Sequence, residues 1–246
     1  PQFNFTFCTR QELPLEDEVA IRNYFEAHQY DFLINCAAYT AVDKAESERE
    51  LAFQINATSV GLLAAICRDN NTKFLHFSTD YVFDGNATEP YKTDDATNPQ
   101  TVYGASKLKG EKLAMDENSD AIIIRTSWVY SSYGKNFVKT MLRLFQEKEE
   151  ISVVNDQIGS PTYAKDLADI TMKIIASGQW YDFANAIKEI SRSNCKINPI
   201  PTSAYPTPAK RPGYSVLNKS KIQQLYGIQF RDWKESLTDC LNEISS

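Results

Sequence analysis

The sequence of 246 residues is poor in the residues that form metal sites, disulfides and glycine-rich turns. It contains nine glycines, five cysteines and two histidines, and no two cysteines form a C-x-x-C pair. Scattered cysteines in odd number are typical of a protein in a reducing cytoplasm, and they argue against a zinc site. His28 and His76 stand in no metal-ligand pattern, so we interpret both as ordinary polar or core residues. Side-chain patterns therefore predict no metal site.

Long apolar runs and basic stripes are also missing. No run approaches the roughly 20 apolar residues that a helix needs to cross a bilayer. The net charge is -6 at pH 7 and no stripe of basic residues is present, so the chain lacks the positive charge that nucleic-acid binding needs. We predict that the protein binds neither a membrane nor nucleic acid. A chain of this length buries enough apolar surface to fold without disulfides or metals.

Short apolar runs alternate with helical patterns in the first part of the chain. We predict strands at Asp31–Cys36, Lys73–Phe77 and Ala121–Arg125, and a further strand at Phe3–Phe7. Helical spacing of apolar residues separates these runs. This order predicts an α/β fold with a Rossmann-like, doubly wound parallel sheet and helices on both faces. The alternation is lost after Glu150, where the sequence becomes rich in proline.

One pair of residues points to proton transfer. Tyr103 and Lys107 form Y-x-x-x-K, and this spacing places both side chains on one face of a helix. An ammonium beside a phenol lowers the phenol pKa, so such a tyrosine can protonate a carbonyl oxygen as hydride arrives. A surface Tyr-Lys pair would show the same spacing. The segment Ser78-Thr79-Asp80, which follows a predicted strand, adds a hydroxyl that can stabilise charge on that oxygen.

Several longer segments resemble one family. They are AAYTAVDKAE from Ala37, STDYVFDG from Ser78, YGASKLKGE from Tyr103, RTSWVY from Arg125, NDQIGSPT from Asn155 and TSAYPTPAKRPGYSVLN from Thr202. In this order they are similar to the dTDP-4-dehydrorhamnose reductase family, which consists of extended short-chain dehydrogenases. The resemblance covers most of the chain. It implies reduction of dTDP-4-dehydro-L-rhamnose to dTDP-L-rhamnose in nucleotide-sugar biosynthesis.

The resemblance also implies roles for single residues. Tyr103 corresponds to the proton donor, Lys107 to its partner and ribose ligand, and Thr79 to the hydroxyl that orients the sugar carbonyl. The remaining implied contacts are Ala38, Tyr39 and Thr40 for the cofactor, and Asp80, Trp128 and Arg211 for the substrate. From the residues alone, a core position is the preferred interpretation of Trp128, because aromatic residues are usually buried. Lys210-Arg211 could equally be a solvated pair.

The family resemblance extends to ligands and domains. The implied cofactor is NADPH or NADH, with Mg²⁺ as a further candidate that no residue pattern specifies. The implied partners are a dTDP-sugar substrate and a second copy of the chain in a homodimer. We expect a dinucleotide-binding domain over residues 1–150 and a substrate-binding lobe over 151–246, with some chain crossing back.

The sequence departs from the family in two places. The glycine-rich turn that binds the cofactor pyrophosphate is missing, so we expect the first βα unit to precede Pro1. The position that reads the cofactor ribose then falls near Thr9-Arg10, where no acidic residue stands. A strand is missing between Gln179 and Trp180, and we expect the chain to be discontinuous there.

Two alternatives to the reductase stay open from the sequence. A related sugar-nucleotide epimerase or dehydratase would share Tyr103 and Lys107, although the Trp128 segment fits it poorly. A non-catalytic binding subunit, similar to the regulatory subunit of methionine adenosyltransferase, would need neither residue for catalysis. The presence of Thr79 together with the Tyr-Lys pair favours an enzyme.

Overall fold

A computed structural model describes residues 3–177, 196–200, 217–220, 223–224, 227–231 and 233–245. These residues divide into two compact units. The first unit contains residues 3–84 and 97–124, and the second contains 85–96, 125–177 and the described residues from 196 onward. The division into a dinucleotide-binding domain over residues 1–150 and a substrate-binding lobe over 151–246 stays a prediction.

The first unit alternates helices with strands, as the apolar pattern predicts. Its elements are α1 Glu18–Ala27, β1 Phe32–Asn35, α2 Val42–Ala45, α3 Arg49–Phe53, α4 Ser59–Asp69, β2 Lys73–Thr79, α5 Val102–Glu117 and the first three residues of β3 Ile122–Thr126. Two helices begin at capping side chains, because Asp17 accepts a hydrogen bond from Ala20 N and Thr101 accepts one from Gly104 N.

The three strands form one sheet in the order β1-β2-β3. Strands β1 and β2 run parallel, with Ile34 opposite Leu75. The prediction that these two strands share a parallel sheet is confirmed. Apolar residues of the helices cover β2, and the core includes Ile21, Val60, Leu63 and Phe74.

Residues 49–69 form a continuous helical stretch with an irregular turn inside it. A π-helical turn over Gln54–Thr58 joins α3 to α4. This stretch is long and apolar enough to span a bilayer, but 56% of its apolar window is buried inside the protein. Its apolar residues are therefore accounted for by the core of the first unit.

The second unit has shorter strands, of two or five residues each in the part that the structure describes. Its elements are β4 Val129–Tyr130, α6 Phe137–Glu147, β5 Glu150–Val154, β6 Thr162–Tyr163, α7 Ala164–Ser177, β7 Lys196–Ile200 and α8 Trp233–Ser245. Strands β4 and β6 pair in parallel, and so do β5 and β7. The rings of Tyr130 and Tyr163 stack with centroids 5.4 Å apart, and Cys240 packs into the same cluster.

The prediction of a strand at Phe3–Phe7 is wrong. These residues form no strand in the structure, and the side chains of Phe5 and Phe7 are 55% and 83% exposed. The segment gains ring contacts instead, since Phe3 packs edge-on against Phe32. Alternation of phenylalanine with polar residues is not enough for a strand when no neighbouring backbone pairs with it. The predicted break between Gln179 and Trp180 lies outside the described residues.

Candidate active site

The start of α5 is held tightly against the turn that follows β2. That turn is a short 3-10 helix over Asp80–Val82. A Cβ atom added at Gly104 would lie 2.2 Å from the carbonyl oxygen of Tyr81, so only glycine permits this approach. The rings of Tyr81 and Tyr103 meet edge to face, with centroids 5.5 Å apart. Tyr103 is thereby brought to the carboxyl end of β2.

Lys107 lies one helical turn after Tyr103 and points into the interior. Its side chain is only 2% exposed. The Nζ atom donates a hydrogen bond to the carbonyl oxygen of Phe77 at 2.7 Å and lies 3.0 Å from Nε2 of His76. Burial lowers the pKa of Lys107 to about 8, while the charge of Glu111 raises it in part.

His76 connects Lys107 to the end of β1. Its Nδ1 atom lies 3.0 Å from the amide nitrogen of Asn35, and the Asn35 oxygen accepts a hydrogen bond from Ala37 N at 3.0 Å. His76 is fully buried, which lowers its pKa well below the usual value, and the charge of Lys107 acts in the same direction. We call Asn35, His76 and Lys107 together the Lys107 cluster.

Thr79 lies at the last position of β2, beside Tyr103. Its hydroxyl donates to Asp80 Oδ1 at 2.9 Å and accepts from Tyr81 N at 3.2 Å. It also lies close enough to the Tyr103 phenol to lower the pKa of that phenol in part. The structure thus brings Thr79, Tyr103 and Lys107 to one end of the sheet in the first unit. Asp80 is only 2% exposed, and its carboxylate accepts the proton of Thr79.

The expected electrostatic pairing of Tyr103 with Lys107 is wrong for the protein in this structure. Burial raises the pKa of the Tyr103 phenol, and the interaction with the Thr79 hydroxyl lowers it in part. The nearby Asp80 carboxylate and Tyr81 phenol raise it further. Nζ of Lys107 instead contacts Nε2 of His76 and the Phe77 carbonyl oxygen. The protonated phenol is therefore the resting form.

The loop after β1 contains the three residues predicted to lie along a cofactor, Ala38, Tyr39 and Thr40. Asn56 holds this loop at both backbone atoms of Tyr39, accepting from its N at 2.8 Å and donating to its O at 3.0 Å. The Tyr39 hydroxyl donates to Glu48 at 2.6 Å, and this hydrogen bond raises the Tyr39 pKa. The loop is thereby fixed before any ligand arrives.

Asn56 also ties the loop to α5. Its amide nitrogen donates to Ser106 Oγ at 3.0 Å, and Ser106 lies between the catalytic candidates on that helix. A Cβ atom at Gly110 would lie 2.0 Å from the Asn56 carbonyl oxygen. Gly110 therefore sets how closely α5 approaches the π-helical turn that carries Asn56.

Trp128 lies in the second unit, and the structure does not make it a core residue. Its side chain is 45% exposed and its φ is 47°, which is the left-handed region that tryptophan rarely adopts. Ser127 donates to the Ser160 carbonyl at 2.6 Å, and Thr162 N donates to the Trp128 carbonyl at 3.2 Å. We call residues 127–129 the Trp128 turn. Neighbouring backbone contacts hold this turn in its strained conformation.

Two further predictions concern Arg211 and Mg²⁺. Arg211 lies outside the described residues, so its role stays a prediction. Within the described ranges, no group of three or more His, Cys, Asp or Glu side chains is placed to hold a metal ion, so nothing in the geometry specifies a site for Mg²⁺.

The sequence reasoning missed three residues that organise the site: Asn35, His76 and Asn56. His76 is a core residue, as interpreted, but it also contacts Lys107. A polar side chain inside the apolar run KFLHF was the available indication, because buried polar groups are almost always hydrogen-bonded. Nothing in local spacing pairs Asn35 or Asn56 with partners 41, 17 and 50 residues away.

Comparison with known proteins agrees with this geometry. The family model described as RmlD substrate binding domain matches residues 2–246. The dTDP-4-dehydrorhamnose reductase of Escherichia coli (strain K12) is 45% identical over 238 residues, which cover 87% of this chain and 80% of that protein.

Solved structures give the same result. A dTDP-4-dehydrorhamnose reductase from Clostridium acetobutylicum ATCC 824 matches with a TM-score of 0.91 at 38% identity, over 96% of this chain and 89% of that one. The Bacillus anthracis enzyme in complex with NADP matches with a TM-score of 0.89 at 35% identity, over 95% and 88%. The predicted Rossmann-like α/β fold is confirmed. Because family model, sequence relatives and structures agree over nearly all of its length, the chain belongs to the dTDP-4-dehydrorhamnose reductase family.

Proposed function

We propose that this protein reduces the ketone of dTDP-4-dehydro-L-rhamnose to the alcohol of dTDP-L-rhamnose with NADPH or NADH. The observation that carries the proposal is that the Thr79 and Tyr103 hydroxyls lie close together at the end of β2. Lys107 follows Tyr103 by one turn of α5. A ketone reduction needs a hydride donor, an acid for the carbonyl oxygen and groups that orient that oxygen. The first unit supplies the acid and one orienting hydroxyl.

Tyr103 is the acid in this proposal. Its raised pKa keeps the phenol protonated at neutral pH, so a proton is present to pass to the substrate oxygen. Thr79 orients the same oxygen. Its own proton is directed at Asp80, so donation to a substrate requires that hydrogen bond to be exchanged. Asp80 then acts on the substrate chiefly through Thr79, since the Asp80 side chain is 2% exposed.

The residues at the carboxyl end of β2 fit a nicotinamide cofactor, which supplies the hydride when bound. Ser78 is 4% exposed, and its hydroxyl has no hydrogen-bond partner among the residues that the structure describes. A buried hydroxyl left in this way is ready to bond a ligand. Ala38 and Thr40 would line the cofactor on the loop held by Asn56, and Lys107 would bind its ribose.

The choice between NADPH and NADH is a separate part of the proposal. Arg10 is the cation near the predicted ribose position, but it forms an ion pair with Glu16 at 2.5 Å. This pairing reduces the attraction that Arg10 offers to a 2′-phosphate. We therefore propose that both cofactors are used, as a comparison of their KM values would test. Two KM values that differ by more than about 100-fold would contradict this part alone.

The substrate contacts rest on the family resemblance and on the exposed ring of Trp128. A half-exposed aromatic side chain held in a strained backbone conformation is typical of a ligand contact. Arg211 would meet the diphosphate of the substrate, because an anionic diphosphate needs cations. We place the reaction in the cytoplasm, where the cysteines that the structure describes as free stay reduced. Assembly into a homodimer stays a prediction.

The test is a cofactor-oxidation assay with dTDP-4-dehydro-L-rhamnose. We expect one cofactor to be oxidised for each alcohol formed, with either NADPH or NADH present. The matched control is the same sugar ketone without its nucleotide, which we expect to react far more slowly because diphosphate contacts are lost. Binding of both ligands without oxidation would favour the non-catalytic binding subunit. Sugar conversion without net cofactor consumption would favour an epimerase or dehydratase.

A further inference from the structure

The hydrogen bonds of the Lys107 cluster fix where its protons lie. Ala37 N can only donate, so the atom of Asn35 at 3.0 Å from it is the amide oxygen. The amide nitrogen of Asn35 then faces Nδ1 of His76 at 3.0 Å. Because an amide nitrogen only donates, Nδ1 must be the bare nitrogen of the ring, that is, the one without a proton.

The second ring nitrogen follows from the first. A neutral imidazole has one proton, so that of His76 lies on Nε2, which faces Lys107 Nζ at 3.0 Å. An ammonium has no lone pair to accept this proton, whereas a neutral amine has one. All of these contacts are hydrogen bonds only when Lys107 is a neutral amine.

We infer that Asn35 and His76 couple the proton on Lys107 to the tautomer of His76, which makes His76 a positioning residue for Lys107. When Lys107 is protonated, Nζ donates to a bare Nε2, and the His76 proton lies on Nδ1. The net change is uptake of one proton from solvent, and the imidazole stays neutral. Asn35 must then turn its oxygen to His76 and release Ala37 N, at the start of the loop that carries Tyr39.

Other groups around the cluster agree with a titration in an accessible pH range. Burial lowers the pKa of Lys107 to about 8, and Glu111 on the same helix raises it in part. From the turn after β2, Asp80 and Tyr81 act on Tyr103. The coupling itself rests on the hydrogen-bond geometry, and only its use in catalysis rests on the proposed function.

The test is nitrogen NMR of the full chain with labelled imidazoles and no ligand. The chain has two histidines, so two ring systems are observed. At about pH 9 we expect His76 to have a bare Nδ1 and a protonated Nε2; at about pH 7, one unit below the Lys107 pKa, we expect the opposite tautomer. His28 is the internal reference, because its Nδ1 lies 2.8 Å from the Tyr24 carbonyl and must carry a proton. One unchanging His76 tautomer would overturn the coupling.

A variant sharpens the result. In Asn35→Asp the carboxylate accepts from both Ala37 N and Nδ1 of His76, so we expect the Nδ1-protonated tautomer at both pH values and loss of the change. Asn118→Asp is the matched control, since the Asn118 oxygen accepts from Asp120 N and a carboxylate keeps that bond. A tautomer change that persists in Asn35→Asp would contradict the coupling, and the wild-type titration decides alone if the variant does not fold. An absence of turnover would bear on the proposed function only.

Discussion

The Lys107 cluster and the Trp128 turn handle polarity and strain in opposite ways. In the cluster, Lys107 and His76 are almost fully buried, and each finds hydrogen-bond partners on the strand or helix beside it. In the turn, Trp128 is 45% exposed, and its backbone adopts a conformation that costs about 1–3 kcal/mol.

The difference shows what each region is suited to do. The geometry of a buried polar cluster is set by its hydrogen bonds, and small changes of protonation there have large effects because water does not screen them. An exposed aromatic ring in a strained turn contributes little to the core and is accessible to a ligand. We expect the first region to govern rate and pH dependence, and the second to govern substrate affinity.

The largest expected effect is on rate. Tyr103→Phe removes one hydroxyl and keeps the ring contact with Tyr81, so folding should be nearly unchanged. We expect kcat to fall by about 10²–10⁴, the usual scale for loss of a general acid. Stopped-flow or steady-state cofactor oxidation measures it. Tyr133→Phe is the control, because Tyr133 is 81% exposed. Equal turnover in both variants would remove Tyr103 from the mechanism.

A second change acts on packing between α5 and the π-helical turn. Gly110→Ala places a methyl group against the Asn56 carbonyl, 2.0 Å away before relaxation. The clash should outweigh the roughly 1 kcal/mol that alanine adds to helix propensity, giving a net loss of about 1–3 kcal/mol. Thermal unfolding measures the change. In the control, Gly61→Ala, the nearest atom is a Leu113 side-chain carbon at 3.0 Å, so the loss should be smaller. A Gly110→Ala variant as stable as wild type would contradict the close approach.

A third prediction concerns acid stability of the cluster. The pKa of His76 is lowered in the folded protein, so below about pH 6.5 the unfolded chain binds more protons and unfolding is favoured. The free energy of unfolding should therefore fall as pH drops from about 6.5 to 5.5, by at most about 1.4 kcal/mol per pH unit from this residue. Urea unfolding at several pH values measures the slope.

Two single variants separate the contribution of His76 from that of the other histidine. His76→Gln should flatten the slope between about pH 6.5 and 5.5, because the titrating group is gone. His28→Gln, at the exposed end of α1, should leave it in place. If both variants kept the wild-type slope, burial of His76 would not be the cause of the change in the free energy of unfolding with pH.

The smallest expected effect separates strain from binding at the Trp128 turn. Trp128→Gly and Trp128→Ala both remove the ring, so both should raise KM more than they lower kcat. They differ in backbone freedom, and at a positive φ glycine should be more stable than alanine by about 1 kcal/mol. Equal stability of the two variants would mean that the turn is not strained, and unchanged KM would place the ring outside the substrate site.

The sequence was sufficient for the elements whose pattern reflects burial. Apolar runs located β1 and β2 within two residues of their observed ends, and the parallel pairing followed from the intervening helical patterns. Phe3–Phe7 shows the limit, because strand formation depends on a neighbouring backbone that local sequence does not show. The π-helical turn in residues 49–69 also escaped prediction, since its apolar spacing resembles that of an ordinary helix.

For the site, spacing identified Tyr103 and Lys107 but misassigned their interaction. Helical geometry places the two side chains on one face, yet the long lysine side chain turns inward to His76 and the Phe77 carbonyl, which come from another element. Spacing along one helix cannot reveal such a competitor. The contacts of Asn35 and Asn56 likewise depend on how distant segments come together, which only the three-dimensional structure shows.

The π-helical turn over Gln54–Thr58 has a consequence for which residue changes the chain tolerates. Ser59 N reaches back five residues to the Gln54 carbonyl, so the turn holds one residue more than a regular helix. Each residue advances a regular helix by about 100°. The turn takes up about that angle, which the extra residue would otherwise add between α3 and α4. Loss of a single residue here would rebuild a regular helix and leave the faces of α3 and α4 in nearly the same orientation. A residue lost within α3 or α4 has no such extra residue to absorb it, and its loss would rotate one of the two apolar faces by about 100° away from the core.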